Sequence, residues 1–157
     1  MAFAGAFNAM GMQPVTDTST TQKHSLGTTM RAYDPVSQEE AEFVYLQGVA
    51  STAVGDFVVY EDGQTTRAVA ASKGPGAVAM SANVASQFGW YARRGRVPVS
   101  VAAAVADGTQ PYVTATPGAL DDAVVAGSGV SGAKFTEAAA GAGLTNIELA
   151  YPEVGSF

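Results

Sequence analysis

The 157-residue sequence has no cysteine. That removes disulfides, thiolate nucleophiles and cysteine-ligated zinc together. Histidine occurs once, at His24, and one imidazole does not assemble a typical zinc ligand set. Charge is scarce as well: 14% of residues are charged, well under the usual quarter. A chain of this kind has little solvated surface or hides part of it against partners. Eight basic residues stand against fourteen acidic ones, for a net charge of −6. Nucleic-acid binding needs a clustered cationic face to neutralise phosphates, so that class is disfavoured. No apolar run approaches the ~18 residues that span a bilayer. The opening MAFAGAFNAMGM lacks the basic start of a signal peptide, the first basic residue being Lys23. The expectation is a soluble, unexported protein with no membrane contact. The carboxylates are scattered, and the adjacent pairs Glu39-Glu40 and Asp121-Asp122 point to opposite faces if they lie on strands. No catalytic constellation emerges, so the chain is read as no enzyme, with no cofactor and no metal.

Apolar residues make up 47% of the chain, enough for one globular core. The organising stretch is Gln87 to Val105. Val97, Val99, Val101 and Val105 recur at a period of two, placing them on one face of a sheet. Before them, Phe88 and Trp90 share a face, and the spacing predicts two strands bent about Gly95. Phe43 to Leu46 is apolar on both faces, as in a central strand covered on both sides. Asp62-Gly63 predicts a type I′ hairpin that pairs Val59 with Thr66 and Phe57 with Ala68. Further strands are expected at 26–33, 78–82, 112–114, 123–125 and 146–151. Ser37 with Glu40 reads as a capping box opening a short helical turn. Lys73-Gly74-Pro75-Gly76 reads as a breaker. Short strands between Gly, Pro and Asp turns indicate a mainly β fold, a β-sandwich or barrel. Residues 1–24 read either as a disordered tail or as an extended N-terminal arm that orders on a neighbour, with Phe3 and Phe7 as apolar anchors, ahead of a single β domain over 25–157.

Gly127-Ser128-Gly129-Val130-Ser131-Gly132 is a literal G-x-G-x-x-G, ahead of a segment that could be helical. Only about 25 residues follow, too few for further parallel strands, so it reads as a glycine-rich loop. Arg93, Arg94 and Arg96 are the densest basic cluster, next to Trp90 and Tyr91. Arginine and aromatic residues dominate interface hot spots. These five residues, with Phe3 and Phe7, are the candidate partner-binding set.

An order of features carries a family resemblance. Gly48-Val49-Ala50 ends an apolar strand and is followed by the Gly55-Asp56-Phe57-Val58 hairpin. A Gly-Pro-x-Ala-Val-Ala segment follows at Gly74 to Ala79, then Phe88-Gly89-Trp90, Gly95, a Val-x-Val strand, Ala106-Asp107-Gly108 and Thr116-Pro117-Gly118. In this order, Phe43 to Ala126 resembles the head decoration, or capsid cement, proteins of tailed bacteriophages. The resemblance implies a mostly β protein, a jelly-roll or small β-barrel, on the outer surface of the virion and made in the host cytoplasm. It implies binding to the major capsid protein and to itself, as a homodimer or homotrimer, bridging neighbouring capsomers. The alternative is a receptor- or carbohydrate-binding β-module, for which Trp90 and Tyr91 would form the aromatic platform.

Overall fold

The computed structural model describes residues 4–5 and 12–155. Among them there are eleven strands and no helix: β1 (Ala4–Gly5), β2 (Thr29–Asp34), β3 (Glu39–Gln47), β4 (Phe57–Glu61), β5 (Gln64–Arg67), β6 (Gly74–Ala79), β7 (Phe88–Val101), β8 (Tyr112–Val113), β9 (Leu120–Asp121), β10 (Val130–Phe135) and β11 (Gly143–Val154). All belong to one mixed sheet.

The Asp62-Gly63 hairpin forms as its turn chemistry dictates. Both residues have positive φ, 50° and 81°, and Val59 pairs with Thr66. The amide of Ala68 donates to the Phe57 carbonyl, which completes the expected register.

The organising stretch is one strand of fourteen residues rather than two. Its partners change at Gly95. The first half lies between β3 and β6, with Tyr45 opposite Trp90 and Val78 opposite Ala92. The second half runs along β11, from Gly95 opposite Leu149 to Val101 opposite Gly143. Gly95 has φ +104°, and a methyl there would stand 2.8 Å from the Glu40 carbonyl. Only glycine combines that dihedral with so close a neighbouring strand.

Pairings β3–β5, β5–β4, β4–β6, β6–β7 and β7–β3 return to their starting strand. This circuit explains why Phe43 to Leu46 is apolar throughout. Val44 and Leu46 join Val58, Ala77, Ala79 and Tyr91 in one buried cluster. Phe43 and Tyr45 point the other way, into a larger cluster with Trp90, Phe57, Val97, Val99, Phe135 and Ile147. The alternating valines are all in that larger core.

Several expected elements differ. Ser37 opens no helical turn: its hydroxyl donates to Asp34 Oδ2 at 2.7 Å, and the chain turns into β3. The Asp34 carboxyl caps that loop, bonded by Ser37 and the Val36 amide, which hold it below its ordinary acidity range. Gly74-Pro75-Gly76 is the start of β6, not a breaker. Pro75 sits opposite Glu153, and the Phe57 ring lies where a Gly76 side chain would be. Residues 123–125 are not a strand; β9 at Leu120–Asp121 takes that place, and Val124 is 79% exposed.

Phe3 and Phe7 lie outside the described residues. Ala4–Gly5 pairs with the edge of β2. Residues 12–24 of the expected arm lie against the sheet. Gln13 and Val15 are buried, and Ser19 bridges to Phe88. Gln13 is the pin. Its Nε2 donates to the carbonyls of Asp17 and Phe88, its Oε1 accepts from Tyr45, and its own carbonyl accepts from Trp90 Nε1 at 2.9 Å. The His24 ring closes the lid, 4.9 Å from Tyr45 and 5.4 Å from Trp90, with Nε2 accepting from the Gln13 amide. His24 is packed, not solvated as a lone histidine beside an arm would suggest.

Candidate functional site: a tyrosine–arginine–glutamate face

Alternation on β2 and β3 sets the site. Arg31 and Tyr33 point away from the larger core, opposite Glu42 and Glu40 on β3. Glu42 is the hub. It is buried, and its Oε1 accepts two hydrogen bonds from Arg93, the Nε one at 2.7 Å. Its Oε2 accepts from the Tyr151 hydroxyl at 3.1 Å and lies 3.9 Å from Arg31 Nε. Arg93 also stacks over the Tyr151 ring, 5.1 Å from its centroid. Burial alone would push the Glu42 carboxyl up. The hydrogen bonds from Arg93 and Tyr151, with the charges of Arg93 and Arg31, outweigh it and hold Glu42 below its ordinary value. For Arg93, burial works against the cation but Glu42 overrides it and raises its pKa. Both shifts favour the charged form of the pair.

Around this hub the surface is aromatic and cationic. Tyr33 is 43% exposed and Tyr151 53%. Arg94 is exposed on β7 between them, and Arg31 reaches across to Glu40 at 3.7 Å. Tyr151 is also held at φ +54°, a backbone region that costs a residue with a side chain about 1–2 kcal/mol.

The arginine cluster is therefore split. Arg93 is structural toward Glu42, Arg94 is exposed, and Arg96 lies half-buried, 3.7 Å from Glu39. Trp90 and Tyr91 correct the sequence reading. Both are fully buried, on opposite faces of β7: Trp90 under Gln13, Tyr91 within the circuit. A strand paired on both sides and covered on both faces has no aromatic platform to offer. Burial also pushes the Tyr91 phenol up, against the hydrogen bonds of Thr65 and Asn83. Glu42, Tyr151 and Gln13 were missed by sequence reasoning. Glu42 was within reach, because pairing β2 with β3 about the Asp34-Pro35 turn sets it opposite Arg31.

A second buried ion pair is a latch. Asp56 Oδ2 accepts from Arg67 Nε at 2.7 Å and from the Ala53 amide at 3.0 Å. Arg67 reaches on to the Pro117 carbonyl, and Phe57 N donates to the Gly118 carbonyl. Gly55-Asp56-Phe57 and Thr116-Pro117-Gly118, distant in sequence, thus meet. The Gly127 to Gly132 stretch opens no helix. It runs into β10, and its Ser128 and Val130 amides donate to the carbonyls of Val125 and Pro111. A phosphate cradle needs such amides free at a helix N-terminus. No group of three or more metal-binding side chains occurs among the described residues. No family model matches the sequence, and no curated protein matches it.

Proposed function

We propose that this chain is a structural protein that binds other proteins of a shell, as the head decoration proteins of tailed phages do. On this reading it sits on the outer surface of the capsid, contacts the major capsid protein and copies of itself, and bridges neighbouring capsomers. The observation that carries the proposal is the exposed face of Tyr33, Arg31, Arg94 and Tyr151 around the buried Glu42, which bonds Tyr151 and pairs with Arg31. Exposed tyrosine and arginine on a fixed backbone give large contact area at low entropic cost. The closed circuit of pairings supports the small-barrel form of the fold over the jelly roll. Contacts of modest strength, repeated over a lattice, sum by multivalency.

A carbohydrate-binding module built on Trp90 and Tyr91 loses its support, because both rings are buried. The test is cosedimentation with shells of the cognate major capsid protein. Saturable binding at a stoichiometry commensurate with the lattice is expected. A folded protein that fails to bind at any concentration overturns the proposal.

A further inference from the structure

Four of the chain's five arginines, Arg31, Arg93, Arg94 and Arg96, lie on strands of one region, where β2, β3, β7 and β11 adjoin in that order. Four glutamates lie among them. Glu42 bonds Arg93, Glu40 reaches Arg31 and Glu39 reaches Arg96, each of the last two at 3.7 Å. Glu148 stands opposite Arg96 on one side and Lys134 on the other. The region thus carries no excess of negative charge, and all of the chain's −6 lies elsewhere. Two copies of an acidic protein repel one another over most of their surface. A face of mixed sign is where that repulsion is least. Two of its charges have no ionic partner within the chain. Arg94 and Glu148 are exposed, and neither makes an ion pair among the described residues. In the β7–β11 ladder Arg94 is opposite Ala150, two positions from Glu148. Opposed residues share a side of a sheet, and so do residues two apart, so this cation and this anion stand side by side on one surface.

We infer that this face is the contact between two copies of the chain related by a two-fold axis. In such a contact residue i of one copy meets residue j of the other, and the reverse holds as well. A cation and an anion side by side meet that condition. Arg94 pairs with Glu148 of the partner subunit, and Glu148 pairs with Arg94 of the partner subunit. Tyr33 and Tyr151, 43% and 53% exposed, supply the apolar area around the two pairs. The inference rests on the reading of this face as an interface, and it names the occupant as a second copy.

Sedimentation equilibrium of the purified full chain, without shells, is expected to show a monomer–dimer equilibrium. Arg94→Glu and Glu148→Arg are exposed substitutions that keep the fold, which circular dichroism checks. Each sets like charges against one another at both contacts and should weaken the dimer at least tenfold. An equimolar mixture of the two variants should dimerise like the unchanged chain, because in the heterodimer one contact joins the two reversed residues and the other joins the two native ones. The inference is overturned by a chain that stays monomeric up to ~1 mM, by a single reversal that dimerises as tightly as the unchanged chain, or by a mixture no tighter than its components. Shell cosedimentation is scored separately. A monomer that still saturates shells refutes the dimer and leaves the capsid reading standing, and a dimer that binds no shells does the reverse.

Discussion

Gln13→Ala is the perturbation that most directly tests how the N-terminal segment is held. The side chain makes three hydrogen bonds, two donated to the Asp17 and Phe88 carbonyls and one accepted from Tyr45. Each is worth about 1 kcal/mol net, and a buried donor left without an acceptor costs about 1–3 kcal/mol. The Phe88 carbonyl keeps its bond from the Ser19 amide, and the Tyr45 oxygen keeps the one from Lys23 N. The Tyr45 hydroxyl proton has no such substitute. The expected loss is therefore about 3 kcal/mol, or ~6–12 °C in Tm for a domain of this size. Urea unfolding followed by tryptophan fluorescence reads it cleanly, because Trp90 is the only tryptophan and lies under the pin. Tyr45→Phe removes the stranded proton, so the double variant should cost at least ~1 kcal/mol less than the sum of the single ones. A Gln13→Ala loss within ~0.5 kcal/mol, the range of ordinary surface substitutions, or strict additivity with Tyr45→Phe would refute the reasoning.

Three further outcomes are expected. Because the folded-state pKa of Glu42 lies below its ordinary value of 4.5, its contribution is complete above that pH and is lost as pH falls through the depressed value. Glu42→Gln should cost about 2 kcal/mol at pH 7, the buried-pair loss discounted because Arg93 is partly exposed, and should flatten the acid limb of a stability–pH curve, leaving the part due to Asp34. Gly118→Ala should cost about 2–4 kcal/mol by calorimetry, since φ is +79° and the new methyl would stand 2.6 Å from Asp56 Cγ, whose carboxylate Arg67 and Ala53 hold in place. Tyr151→Asn keeps a residue that tolerates the left-handed backbone but removes the ring; it should weaken shell cosedimentation at least tenfold, a loss of ~1.4 kcal/mol, while the ion pair beneath it stays formed.

What the sequence made legible was local. The Asp62-Gly63 turn announces itself because only a few residues accept its backbone, and the valine alternation survives because one face of β7 is buried from Val97 to Val101. Long-range pairing was not legible. Gly95 reads as a hairpin bend, since a glycine between two strand-like runs usually is one. In this fold the same residue lets a single strand change partners, and nothing within the local window records which strands those are. Two members of the partner-binding set, Trp90 and Tyr91, were misread in the same way. Trp90 and Tyr91 sit beside three arginines in sequence, but a strand sends neighbours to opposite faces, and here both faces are covered. Burial on both faces follows from the circuit of pairings and from the Gln13 segment, whose residues range from Ala79, 12 positions before Tyr91, to Gln13, 77 before Trp90. Tyr151 shows the converse. It looks like one more residue of a terminal strand, and only the return of β11 alongside Arg94 brings its hydroxyl to Glu42. The exposed face is thus a product of topology: three strands contribute its exposed side chains and a fourth the glutamate beneath them, each of which means little by itself. A search for interfaces in such chains has to start from strand pairing, with aromatic and basic clusters along the sequence taken second.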